Sequence, residues 1–161
     1  MTMEPLTLRT ALDLTWWRNK SRETLRTPGF TTEEGQAEWF RGINKPDSKI
    51  WYWEFREKID TVAAGGFVNI DRHNRLAEIS LLVSPNHRRK GYGKQAVALL
   101  LKEAFDNMNL VRVYGEVYDC GPGSFWEKAI PDLKWSISPH LKYWNGKQWG
   151  ATFFWIDKEN E

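Results

Sequence analysis

A single cysteine, Cys120, cannot close an internal disulfide, and with only three scattered histidines the chain shows no zinc-ligand spacing. No metal is implied. Nowhere do about 18 apolar residues run together, so no transmembrane helix is expected. The opening Met1-Thr2-Met3-Glu4-Pro5-Leu6-Thr7 lacks a basic flank followed by an apolar stretch, which makes the cytoplasm the expected compartment. Charge of one sign is scarce too. The net charge is +2, and the longest basic run is Arg88-Arg89-Lys90. Such a run is too short to track a nucleic-acid backbone but suits one small polyanion. No repeat, low-complexity segment or linker divides the 161 residues, so one domain spanning 1–161 is expected.

Aromatic surface is abundant. Ten Trp, eight Phe and five Tyr exceed what a small core usually needs. Most should be core, and some rings are left to line a cleft or a partner surface. Leu6 to Arg9 reads as a first strand, and Thr10 with Asp13 as the cap of a helix through Trp16 and Trp17. Pro28-Gly29 interrupts it. Thr31 and Glu34 stand at capping-box spacing before a second helix containing Trp39 and Phe40. Strands are expected over Ile50–Arg56, Thr61–Ile70 and Leu76–Val83. In the last of these, Ala77, Ile79, Leu81 and Val83 share one face while Leu76, Glu78, Ser80 and Leu82 share the other.

Val97, Leu100, Leu101, Ala104 and Met108 then follow helical spacing, and Val111 to Tyr118 reads as a strand. A strand, a glycine turn, a helix and a strand make a crossover unit, which would set its two strands parallel. Asn145-Gly146, between the aromatic stretches Leu141–Trp144 and Trp149–Trp155, signals a closing antiparallel hairpin. Its aromatic edge would suit a homodimer contact.

The chemistry centres on Arg88-Arg89-Lys90-Gly91-Tyr92-Gly93. Glycines at a strand-to-helix junction let a ligand approach the backbone without meeting a Cβ, and the N–H groups of a helix's first turn attract anions. Arg88, Arg89, Lys90 and Lys94 add charge to match two phosphates. No G-x-x-x-x-G-K-[ST] occurs, and Ala96 stands where a third glycine would complete G-x-G-x-x-G, so Walker-type and dinucleotide readings fail.

The segment Leu82-Val83-Ser84-Pro85-Asn86-His87-Arg88-Arg89-Lys90-Gly91-Tyr92-Gly93-Lys94-Gln95-Ala96 resembles motif A of the GNAT N-acetyltransferases, Q/R-x-x-G-x-G/A after a strand. Trp17-Arg18-Asn19, Glu38-Trp39-Phe40 and Ala77-Glu78-Ile79 are similar to the branch containing ribosomal-protein and amino-sugar acetyltransferases, and the likeness runs over about residues 5 to 156. It implies an α/β (α+β) GNAT fold: a mixed, mostly antiparallel twisted sheet of six to seven strands, flanked by about four helices and splayed at the fourth and fifth strands.

The resemblance also implies a reaction. Acetyl-CoA is the donor, and an amine attacks its thioester directly in a ternary complex. Leu82, Val83, Arg88, Arg89, Lys90, Gly91, Tyr92, Gly93 and Lys94 would hold the cofactor, with a backbone N–H near Val83 polarising the thioester. Glu78 would be the general base, its alternative being a carboxylate paired with a basic neighbour such as Arg75 or Arg112. Trp17, Arg18, Asn19 and Phe30 would face the acceptor, with core packing for Trp17 and a solvated helix charge for Arg18 as the structural alternatives.

One region departs from the family. Relatives often carry Asn and then Tyr, the latter protonating the departing CoA, where Cys120 and Trp126 stand in this chain. Cys120 and Trp126 would still line the cofactor, but Trp has no phenolic proton. Ser124, Tyr118 or water would be left as the acid. Two functional readings stay open: an N-acetyltransferase for an amino-sugar nucleotide, a polyamine, a free amino acid or a protein N-terminus, and a catalytically impaired module that binds acyl-CoA or a partner without turnover.

Overall fold

The structure is a computed structural model that describes residues 1–26, 29–118, 123–144 and 147–159, with backbone only for residues 137–144 and 147–149. Its chain begins with β1 (Thr2–Pro5), which pairs antiparallel with β2 (Trp51–Glu57). The expected strand at Leu6–Arg9 is displaced to Thr2–Pro5, and Thr7, not Thr10, caps α1 (Leu8–Lys20). Thr7 Oγ1 accepts from Thr10 N at 3.2 Å and donates to Glu54 Oε2 at 2.7 Å. The Thr7 N–H reaches the same carboxylate at 3.0 Å. Glu54, fully buried in β2, thereby sets where α1 starts.

The cap of α2 (Glu33–Gly42) is similarly one residue off: Thr32 accepts from Gly35 N, while Thr31 is engaged by Asn19. β3 (Asp60–Asp71) and β4 (Leu76–Val83) follow as antiparallel neighbours. α3 (Tyr92–Lys102) is shorter than its apolar pattern, because residues Glu103–Asn107 widen into a π-helical turn. The chain then forms β5 (Arg112–Tyr118), α4 (Gly123–Ala129), β6 (Lys134–Trp144) and β7 (Lys147–Asp157). The closing hairpin is present as β6 and β7, although residues 145–146 lie outside those described.

Seven strands among the described residues form one sheet in the order β1-β2-β3-β4-β5-β7-β6. As expected, the sheet is mixed and mostly antiparallel, the parallel pair being β4 with β5. Apolar side chains bury on both faces. Ala77 and Ile79 of β4 and Val113 and Val117 of β5 join Val97 and Leu100 of α3 in one core. Leu6, Leu14, Trp17 and Ala64 form the other, with Leu82 and Tyr52 packed against it. The alternation along β4 thus directs Glu78 and Ser80 toward the side covered by α1 and α2.

The β4–β5 pairing runs only through Leu76↔Arg112, Ala77↔Val113 and Glu78↔Tyr114. Past that point each strand follows its outer partner. β3 holds β4 as far as Ala63↔Val83, and β7 holds β5 as far as Tyr118↔Ala151. A gap opens between the two parallel strands. No described helix is long and apolar enough to cross a membrane.

At the closed end of the sheet, Asp157 of β7 receives Arg112 Nε of β5 at 2.6 Å and Lys134 Nζ of β6 at 2.8 Å. Hydrogen bonds from Arg112 and Lys134 lower its carboxyl pKa from the ordinary 3.8 to about 2. A depressed carboxylate stabilises the fold above its unfolded pKa, and that contribution disappears as pH falls through about 2. Carbon-detected NMR should give Asp157 a midpoint of about 2, moving back toward about 3.9 in Arg112→Ala.

Candidate active site

The gap between β4 and β5 meets the glycine turn at one end and a charged cluster at the other. Gly91 caps α3 in the left-handed region, with φ 81°, and no side chain caps the first turn. The N–H groups there, with the positive end of the helix dipole, suit an anion. A Cβ added at Gly91 would meet nothing within 4 Å, whereas one at Gly93 would lie 2.9 Å from the Phe125 ring and 3.3 Å from Val83 Cγ2. Gly91 therefore serves the backbone turn, and Gly93 serves close packing between β4, α3 and α4.

Arg89, Lys90 and Lys94 are exposed around this turn, and Arg89 is itself left-handed at φ 61°. Tyr92 is half-buried, its ring 6.3 Å from that of His87. Arg88, also exposed, reaches the end of α1. Its guanidinium hydrogen-bonds Ser21 Oγ, and that hydroxyl donates to Trp17 O at 2.6 Å. The motif's first residue thus joins the end of α1 to the start of the glycine turn.

Glu78 stands at the last paired rung of the parallel ladder, with its side chain 9% exposed. Neither Arg75 nor Arg112 is its partner: Arg75 binds Asn109, and Arg112 binds Asp157. Oε1 instead receives Arg26 Nη2, from the connection between α1 and α2. Oε2 receives Asn69 Nδ2 at 2.9 Å. Asn69 reaches it because the register of β3 shifts between Val68 and Asp71 and Asn69 is left-handed at φ 51°. Arg26 Nη1 also binds Glu116 Oε2 of β5 at 2.9 Å. One guanidinium therefore bridges the two strands where their ladder ends.

Neighbouring hydroxyls complete the cluster. Tyr52 of β2 and Ser80 of β4 lie level with Gly66 of the intervening β3. With no side chain at Gly66 in between, Tyr52 Oη donates to Ser80 Oγ at 2.5 Å. Burial pushes the Tyr52 pKa up, against the opposing effects of the Ser80 bond and the Arg18 charge. Burial likewise raises Tyr114, reinforced by the Glu78 charge. Desolvation acts to lower Arg26, but attraction and hydrogen bonds from Glu78 and then Glu116 outweigh it, and its pKa is raised.

The remaining sequence candidates occupy varied places. Val83 packs against the α3-side core and Leu82 against the α1-side core. Tyr118 is half-buried at the end of β5, and alternation puts it on the Glu116 face. Ser124 is exposed at the start of α4. Trp126 is core, with its ring 5.0 Å from Phe154 and 5.1 Å from Phe125. Cys120 lies outside the described residues. Trp17 is buried, Asn19 holds Thr31 through two 2.8 Å hydrogen bonds, and Arg18 Nε reaches Thr31 Oγ1 at 3.4 Å. Phe30 is 77% exposed beneath the Arg22 guanidinium.

Sequence reasoning missed Arg26, Asn69, Tyr52, Ser80 and Glu116. Alternation along Tyr114, Glu116 and Tyr118 was a signal for the last. Among the described residues no group of His, Cys, Asp and Glu could hold a metal ion.

The model of the acetyltransferase (GNAT) family matches residues 11–128. An uncharacterised N-acetyltransferase p20 of Bacillus licheniformis is 28% identical over 99 residues, 62% of this chain and 49% of that protein. The match thus spans about half the length of that relative. Among solved structures, Vibrio cholerae spermidine N-acetyltransferase in complex with CoA and spermine aligns with a TM-score of 0.78, at 19% identity over 97% of this chain and 94% of the other. A dodecameric form of the Vibrio enzyme aligns at 0.76 and 16% identity, over 97% and 92%. At these identities the likeness is one of fold.

Gly93→Val should displace the Phe125 ring and lower stability by about 1–3 kcal/mol, measured by urea unfolding.

Proposed function

The chain belongs to the acetyltransferase (GNAT) family, and on that footing we propose that it transfers the acetyl group of acetyl-CoA to a primary amine within a ternary complex. The observation that carries this reading is the gap between β4 and β5, with an uncapped helix start at one end and a buried, hydrogen-bonded carboxylate at the other. Acetyl-CoA is the family's donor. Its pyrophosphate would sit on the first turn of α3, with Arg89, Lys90 and Lys94 on the rim. Arg88 would have to leave Ser21 to join them. The pantetheine would run along Leu82 and Val83 into the gap.

The amine nitrogen attacks the thioester carbonyl carbon, the C–S bond breaks, and CoA leaves as thiolate. An alkylammonium with pKa of about 10.4 must first lose a proton, which Glu78 would accept through water. As the amide forms its nitrogen sheds a second proton, and the thiolate takes up that proton directly or by relay through Tyr118, Ser124 or water. Trp126 has none to transfer and is packed in the core. A thiol of pKa about 8.5 leaves tolerably without an acid, so the departure at Trp126 is compatible with turnover.

A polyamine is the acceptor we favour. Glu78 and Glu116 present two carboxylates on the acceptor-side face, and the structural neighbours include enzymes named for spermidine. Of the sequence candidates for the acceptor wall, Phe30 is exposed, Arg18 on α1 is half-buried, Asn19 holds Thr31 beside Phe30, and Trp17 lies in the core beneath α1. β6 is the last strand of the sheet, and a second copy would add along its edge.

Acetyl-CoA turnover should be measured with spermidine, an amino-sugar nucleotide, an amino acid and a peptide N-terminus. Spermidine should be acetylated, Glu78→Gln should lower kcat by about 10²-fold, and Gly91→Glu should abolish acetyl-CoA binding by opposing its phosphates. Acetyl-CoA binding without turnover of any amine would favour the impaired module.

A further inference from the structure

Arg26 reaches the gap from the connection between α1 and α2, and its side chain is 38% exposed. The two carboxylates it joins are far less accessible, at 9% for Glu78 and 12% for Glu116. They belong to different strands, on the same face, beside the point where β4 and β5 stop pairing. An exposed cation on a connecting segment thus occupies a position between one buried and one largely covered anion that belong to the sheet. Buried carboxylates tolerate poorly the loss of a counter-ion, so a cation that takes the place of Arg26 offsets the cost of its leaving.

Resting on the acetyltransferase reading above, we infer that Arg26 is an internal stand-in for the acceptor: its guanidinium fills the ammonium subsite of Glu78 and Glu116, and a cationic amine binds by displacing it.

Both states carry the same charge, since one monovalent cation replaces another. Asn69 stays on Glu78 Oε2 throughout and keeps that carboxylate aimed into the gap. An incoming ammonium takes the place of Arg26 on Oε1 and on Glu116 Oε2. The exchange also removes the guanidinium from Glu78 Oε1, so that this carboxylate can accept the acceptor's proton by way of water. Specificity follows from the same geometry. An acceptor carrying a carboxylate near its amine would be repelled by the pair, whereas a second positive group would find compensating charge. Arg26 accordingly sets apparent acceptor affinity by competition: the fraction of molecules with the subsite vacated scales the observed binding constant.

The test uses the full chain and two probes of equal length, 1,4-diaminobutane and 4-aminobutyrate. In nitrogen-15 spectra of the unmodified protein, saturating 1,4-diaminobutane should shift the Arg26 side-chain resonance toward that of a solvated guanidinium. By calorimetry, Arg26→Gln should bind the diamine about tenfold more tightly, Arg26→Lys should restore wild-type affinity, and Glu116→Gln should weaken it about tenfold. An Arg26 resonance unmoved at saturation overturns the inference, and this readout needs no variant to fold. Weaker diamine binding by Arg26→Gln overturns it as well. So does wild-type preference for 4-aminobutyrate that is lost in Arg26→Gln, because Arg26 would then be binding the acceptor's carboxylate. Failure of acetyl-CoA to bind would instead strike the acetyltransferase reading, and the Arg26 resonance with diamine alone would still decide the displacement.

Discussion

The ending of one parallel ladder governs the rest of this molecule. β4 and β5 share three paired residues, and then each is drawn off by a longer antiparallel partner. The split exposes strand edges inside the sheet, where backbone groups would otherwise be paired. It also puts the glycine turn, which leaves the end of β4, beside the same opening. On the acetyltransferase reading proposed above, donor and acceptor would meet there because the sheet fails to close.

The charges in the opening follow from its geometry. Glu78 stands at the last rung, Glu116 lies two residues beyond its partner Tyr114, and alternation turns both toward α1 and α2. Two carboxylates of low exposure on adjacent strands favour a cation between them, and Arg26 supplies one from a segment that the sheet does not constrain. The Asn69 bulge and the glycine at 66 are smaller adjustments of the same site. One brings an amide to Glu78, and the other lets Tyr52 reach Ser80 across a strand.

Much of the frame was legible in the sequence. β4 was read from Leu76 to Val83 by its alternation, and the crossover through the glycine turn correctly made β4 and β5 parallel. Errors came at helix starts, where local rules compete with distant partners. Thr7 caps α1 because buried Glu54, 47 residues away, holds it. Thr31 loses the α2 cap to Thr32 because Asn19 binds its backbone. The π-helical turn after Lys102 left no mark in an apolar pattern that ran on to Met108.

The candidate site divided along the same line. Motif residues could be named because Gly91 and Gly93 meet local demands of a turn and a close contact. Arg26 carries no such signature, since its role depends on where two strands diverge. Trp126, chosen by position in a motif, proved to be core beside Phe154, a burial that family spacing does not encode.

The most direct measurement is a titration of the isotope-labelled chain with acetyl-CoA, followed by backbone amide shifts. The account predicts that the largest shifts fall on Gly91, Tyr92, Gly93 and Lys94 and on the end of β4 from Leu82 to Ser84. Saturable binding that leaves those amides unmoved while shifting others would contradict it.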